Sequence, residues 1–479
     1  MIYYIYLVMY ILLMPAHEKT FKRYDPDQTM LMPTDMREWL PEDHLAYFIS
    51  DIVEEMDLSA FYARYKPAPG CPPYDPKMML KVIIYAYCIG MRSSRQIKIA
   101  TKENVAFRIL AAGNFPDFRT ICRFRVDHAE SFHGVFRQVL QLCTAEGLVK
   151  MQVVAVDGTK LKANANVTKN RRKNELEDEA EYYDRVARRI IEEAENVDAD
   201  EDEALGEDDG NPLPPDMRRR DGRRQRIAES LRQIKEEEDK REAELKERIE
   251  DRRRREEEEA AKGKKVRGRK PKLEKKFKEI CRNPSDPDSR VMMSSNGFVQ
   301  SYNAQIVVDC DSQVIIAEEV VQDCNDEQQL VPMLKIVEKN TGRSPEKGLG
   351  DAGYYSDEAI RSLKHIDLYV ATQMSYDDRM GVPLRKRKRA PSLREEMAAK
   401  LRTEEGHALF ARRSRTVETA FGNIKENRGL RRFLVRGLRK VRGEWTLACI
   451  GHNLKKLWFK RSGSSAILGK NSTTAAIIS

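Results

Sequence analysis

This 479-residue chain predicts an α/β protein in which a mixed sheet follows an all-α region and is split by a long charged insert. Three observations carry that expectation. Apolar runs of strand length at 151–160, 304–309, 314–321 and 368–372 alternate with helical patterns. Residues 35–148 show helix starts and helical spacing but no strand run. From 169 to 278 there is almost no apolar side chain.

The length exceeds what one core normally serves, so two cores and a linker are expected. The net charge of +9 favours polyanionic partners, and it is unevenly spread. Between Arg412 and Arg442, Arg and Lys crowd together and only Glu418 and Glu426 oppose them. None of the eight cysteines is spaced as CxxC or with His at zinc-ligand spacing, so reduced thiols in a cytoplasmic protein are expected. Residues 1–15 are apolar but shorter than the ~20 residues that cross a bilayer. They also lack a basic n-region, so initiation at Met14 is the expectation and a membrane anchor the alternative.

Along the chain, 1–34 reads as an extension and 35–148 as a helical DNA-binding domain. Pro41 onward opens one helix, Asp75 caps a second with Pro76 at its first position, and Ser94 begins a third running toward Leu110. After the break at Gly113–Asp117, a helix from Phe118 carries Arg119, Arg123 and Arg125. This is either a helix-turn-helix reader of DNA or a plain bundle with a basic face. The strand 151–160 is expected to end at Asp157-Gly158.

The insert, 169–278, reads as helix-prone and partly disordered. Ile227, Leu231 and Ile234 keep helical spacing before the stripe fades into Arg/Glu blocks, too sparse for a coiled coil. Its end at 264–272 approximates an Arg-Gly-Arg-Pro minor-groove hook or is a solvated basic linker. Hairpin strands follow. Asn325-Asp326 then caps a helix, a short strand ends at Asp351, Ser356 caps the next helix, and helices at 393–404 and 413–428 close the pattern. Trp445 reads as core, and residues 461–479 as a flexible tail.

Three antiparallel strands followed by strand–helix alternation is the layout of a ribonuclease H-like mixed sheet. In it the first and fourth strands are neighbours, so residues 149–168 and 279–460 form one catalytic domain, and Asp157, Asp351 and Glu418 converge. Three carboxylates without His or Cys suit Mg2+ or Mn2+, hard cations that share oxygen ligands with substrate phosphates. Two such ions serve phosphodiester chemistry. On the last helix, Arg415, Glu418, Gly422 and Lys425 share one face beside an apolar stripe of Val417, Ala420, Phe421 and Ile424.

The chain resembles bacterial insertion-sequence transposases of the DDE class, in the branch with a Tyr-Arg-Glu-Lys signature and an N-terminal helical domain. The resemblance rests on Val156-Asp-Gly-Thr159, Tyr302-Asn-Ala-Gln305, Gly350-Asp-Ala-Gly-Tyr354, Val417-Glu418 with Ile424-Lys425, and Gly429-Leu-Arg-Arg-Phe433. Tyr24-Asp-Pro-Asp-Gln28 and Trp39-Leu-Pro-Glu-Asp-His44 also fit, and the resemblance covers nearly all of 19–459 outside the insert. It implies that Asp157, Asp351 and Glu418 are catalytic and bind two metal ions. It also implies a homo-oligomer acting on terminal inverted repeats and target DNA, with no membrane. Expected DNA contacts are Arg415, Lys425, Arg428, Arg431, Arg432, Arg119, Arg123, Arg125 and Tyr354, the last alternatively a core residue. One departure stands out. The signature's Tyr and Arg fall on Ala411 and Ser414, with Phe410, Arg413 and Arg415 straddling them, and helical phase selects Arg415. A binding protein without catalysis, or a nuclease that cuts without joining, shares these motifs.

Overall fold

The computed structural model describes residues 35, 38–65, 72–186, 188–189, 215–261, 279–294, 297–372 and 392–463. The apolar stretch 1–15, the basic segment 264–272, Cys71, the basic loop 385–389 and the tail beyond 463 lie outside them. Among the described residues no helix is long and apolar enough to cross a membrane. The described residues from Asp43 to Gly463 belong to one compact unit.

The helical region is built from α1 (Leu45–Glu55), α2 (Pro76–Cys88), α3 (Ser94–Glu103), α4 (Val105–Leu110), α5 (Phe118–Asp127) and α6 (Phe132–Ala145). The Asp75 carboxylate accepts from Lys77 N–H, so α2 starts where expected, with Pro76 in its first turn. All but two of its residues are buried, which makes it the centre of this region. The helix expected from Ser94 to Leu110 is two helices. Asn104 is extended, ends α3, and caps α4 by accepting from Phe107 N–H at 3.3 Å.

The sheet contains β1 (Val153–Lys162), β2 (Arg290–Ser294), β3 (Gly297–Asp309), β4 (Ile315–Val321), β5 (Lys347–Gly350) and β6 (Asp367–Val370). Neighbours run β2-β3-β1-β5-β6, and β4 also pairs with β3. Strands β1, β3 and β4 are antiparallel, whereas β5 and β6 join parallel to β1. This is the expected order, with β2 as an additional hairpin strand on the extended start of β3. Strand β1 does not stop at Asp157-Gly158; Gly158 continues it opposite Gln305.

The insert is partly ordered. A helix over 173–186, α7, and the 47-residue α8 (Pro215–Ala261) bury Leu176, Ile227, Ile234 and Ile280 together, with Leu231 and Tyr183 packed against them. The short Ile/Leu stripe thus finds partners in the first helix of the insert and in Ile280 just beyond its end. The remaining elements are α9 (Leu330–Thr341), α10 (Asp357–Ser362), α11 (Leu393–Arg402), α12 (Glu404–Gly422) and α13 (Leu438–Arg461). A π-helical turn, Asn423–Asn427, extends α12.

Helix α13 joins the two halves by packing on α2, α6 and β4. Asn453 caps the start of β4 with both amide atoms, accepting from Ile315 N–H at 2.9 Å and donating to its carbonyl at 2.8 Å. Trp445 is fully buried, as expected, and its indole N–H donates to the Gln305 carbonyl at 3.3 Å. Gly443 and Gly451 allow the close approach. An added Cβ would lie 2.7 Å from Ala129 Cα at one and 3.2 Å from the Tyr87 carbonyl carbon at the other. The helical region and the sheet, expected as separate cores, therefore share one.

Candidate active site

Parallel pairing matches Ala155 with Leu349. Two residues further along each chain come Asp157 and Asp351, which the register sets side by side at the carboxyl end of β5. Asp351 caps a short turn, accepting from Gly353 N–H at 2.8 Å. Arg413 on α12 reaches both acids. Its Nη2 lies 3.0 Å from Asp157 Oδ1 and 3.5 Å from Asp351 Oδ2. Burial pushes the Asp157 carboxyl up to about 6. The Arg413 guanidinium opposes that rise, while repulsion from Asp351 and Asp326 adds to it.

Asp326 is the acid that sequence reasoning assigned elsewhere. It does not cap α9, whose N-cap is Gln329. Instead its Oδ1 accepts from Asn303 at 2.6 Å, Gln305 at 2.7 Å and Lys160 at 3.2 Å. Tyr354 O–H donates to Gln305 Oε1. The Tyr302-Asn-Ala-Gln305 motif thereby acquires a physical role, because Asn303 and Gln305 tie β3 to a carboxylate beside the acid pair. Gly158 makes room for this. A Cβ there would sit 2.3 Å from Gln305 Nε2.

Lys425, in the π-helical turn, is half-buried. Burial lowers its ammonium pKa and the charge of Asp157 pulls it back up, so this cation stands within electrostatic reach of the acid pair. Glu418 is exposed on α12, and its side chain has no ion pair or hydrogen bond among the described residues. Nor do the described residues gather three or more His, Cys, Asp or Glu side chains into a metal-holding group. Helix α12 turns Arg413, Thr416, Val417, Ala420 and Phe421 inward, and Arg413 rather than Glu418 reaches the acids.

Two family models match the chain. A transposase domain (DUF772) matches residues 34–127 and a transposase DDE domain matches 375–458. Both are transposase domains, consistent with an insertion-sequence DDE transposase. No curated protein and no solved structure matches. The DDE match contains Arg413, Glu418 and Lys425, whereas Asp157 and Asp351 lie outside both matched spans. The DDE domain implies a ribonuclease H-like fold, and the mixed sheet has the strand order expected of one.

The basic residues of this chain divide by burial. Arg415 is exposed on α12 and does not reach the acids. Arg431 is exposed and paired with Glu426, while Arg432 is exposed. Arg119 and Arg123 are exposed on α5, and Arg95, Lys98 and Arg119 all lie over the Phe118 ring. Three expected DNA contacts are internal instead. Arg125 is buried and donates to Tyr87 Oη at 3.2 Å and the Arg92 carbonyl at 2.7 Å. Arg428 is buried at the contact with Gly90. Tyr354 is fully buried. In each case the packing of the fold buries a residue whose charge or ring had suggested the surface.

Proposed function

We propose that the chain binds the terminal inverted repeats of an insertion sequence, cleaves DNA at the element ends and joins the freed 3′-hydroxyl to target DNA. The observation that carries this reading is the meeting of Asp157 and Asp351, from adjacent parallel strands, on one cationic group. Two carboxylates sharing a guanidinium are hard oxygen donors already converged on a positive charge, which fits Mg2+ or Mn2+. Asp157 and Asp351 would hold such ions, with Glu418 as the third ligand. When bound, the metal supplies activation of the attacking oxygen and stabilisation of the leaving 3′-oxygen.

The chain's own residues supply position and charge. The β1–β5 register keeps the two aspartates together, and the Asp326–Gln305–Tyr354 network braces β3 beside them. Arg413 balances the acid pair in the free protein. Lys425, within electrostatic reach of Asp157, meets the approaching phosphate as a point charge. Exposed Arg415 and Arg432 meet the backbone nearby. Two copies acting on paired ends complete the reading.

The exposed, unpartnered Glu418 favours one alternative, DNA binding without catalysis. Cleavage of the gene-flanking duplex with Mg2+ or Mn2+ separates the two. Wild type should cut at the repeat ends and form joined products. Asp157→Ala, Asp351→Ala and Glu418→Ala should each bind the duplex yet lose cutting by at least about a hundredfold. Full cutting by Glu418→Ala would remove the third acid from the mechanism, and full cutting by Asp157→Ala would end the proposal.

A further inference from the structure

The loop after the π-helical turn carries four arginines, and its backbone is fastened rather than loose. Phe433 N–H donates to the Lys162 carbonyl at 2.9 Å, and Asn164 Nδ2 donates to the Leu434 carbonyl at 2.8 Å. Behind it, Arg92 and buried Glu444 form an ion pair at 3.1 Å. Arg92 also donates to the Gly429 and Arg432 carbonyls at 2.7 and 3.0 Å, and Glu444 accepts from Leu434 N–H at 2.8 Å. The loop is therefore held against the far end of β1, with the Arg432 side chain exposed.

Between them lies a groove of about 420 Å³ whose charged lining is Lys162, Lys169, Arg432 and Arg436. No carboxylate lines it. Among the described residues none of these four cations has an ion-pair partner, and Arg436 donates only to the Asn164 carbonyl. The cations of α8 behave differently: Arg232, Lys246 and Arg253 each pair with a glutamate one turn away. Four cations without an ion pair, of which Arg436 alone feels a nearby carboxylate, that of buried Asp286, surround a concave, amide-lined surface that suits a run of phosphates.

Strand β1 relates this groove to the acids. Lys162 lies five residues beyond Asp157, about 17 Å along an extended strand. At 3.4 Å per step that is about five base pairs of duplex. We propose that the groove clamps the phosphate backbone of duplex DNA about five base pairs from the bond attacked at Asp157 and Asp351. The inference rests on the transposase reading above and adds the place where DNA is held.

The test is the salt dependence of binding by the full chain to two duplexes, one from the gene's flank and one scrambled. The variant Lys162→Gln/Lys169→Gln/Arg432→Gln is compared with Arg232→Gln/Lys246→Gln/Arg253→Gln, which removes equal charge from paired positions. Each lost phosphate contact lowers the log–log slope by about 0.9, so the groove variant should flatten it by nearly three, on both duplexes, and bind roughly tenfold or more weakly. The control should keep the wild-type slope. An unchanged groove variant overturns the clamp, as does an equal loss in the control. A loss confined to the flanking duplex overturns phosphate recognition in favour of base contacts. Independently, methylphosphonates placed about five base pairs from the cut should weaken wild-type binding, and indifference there refutes the spacing. Wild type that binds neither duplex would refute the transposase reading itself.

Discussion

Asp157 is held at a cost in stability that should be measurable. Its carboxyl is raised from 3.8 to about 6, chiefly by burial, so the folded chain binds this proton more tightly than the unfolded chain does. The stabilising effect of protonation is therefore complete below about pH 4 and is lost as pH rises toward 6. Asp157→Asn removes that loss. At pH 7 the variant should be more stable than wild type, by at most about 3 kcal/mol, with the gap closing near pH 4. Thermal unfolding at the two pH values checks this, and a less stable variant at pH 7 would mean that the Arg413 pair outweighs burial. The two aspartates were legible because each follows a short apolar run and stands beside a glycine, Gly158 after Asp157 and Gly350 before Asp351. Arg413 was not, because helical phase favours Arg415 while a long side chain reaches the acids from another face. Asp326 was missed for a different reason: Asn-Asp before an apolar helical run reads as a cap, yet α9 begins only at Leu330.

Strands and caps were largely readable, since apolar alternation and Asp-Pro or Ser-Asp-Glu starts act locally. The first half of β3 was not. Phe298, Val299, Gln300 and Ser301 mix polar and apolar positions, and pairing with β2, joined at Ser301 by β1, makes them strand. The insert shows how little apolar surface suffices for order. Its i,i+4 ion pairs contribute only about 0.3–0.5 kcal/mol each, so its anchoring falls to the cluster of Leu176, Ile227, Ile234 and Ile280. Truncating a buried isoleucine to alanine costs about 2–5 kcal/mol. Ile227→Ala/Ile234→Ala should therefore release α8, and limited proteolysis should cut within 215–261 many times faster while 279–463 stays intact. Arg253→Gln, which breaks one exposed pair, should leave the digestion rate unchanged.

The division into a helical and a catalytic domain follows naturally from the change in pattern near residue 149, but pattern reports secondary structure and not which elements share a core. Helix α13 decides that question. It is the last element among the described residues, so its contacts with α2 and α6 span most of the sequence and leave no local signal. Cys88 Sγ donates to the Gly451 carbonyl at 3.7 Å, and Cys449, Ile450, Leu454 and Leu457 are buried along the same helix. Exposing even part of that surface costs about 1.5–3 kcal/mol per large apolar side chain. A few such losses equal the whole stability of an ordinary domain, about 5–15 kcal/mol. Residues 149–463 expressed without the helical region should accordingly show no cooperative thermal transition, while residues 43–463 unfold in a single one. Calorimetry of both chains tests the shared core. A sharp transition for 149–463 near that of the longer chain would restore two independent cores and make α13 a contact surface between them.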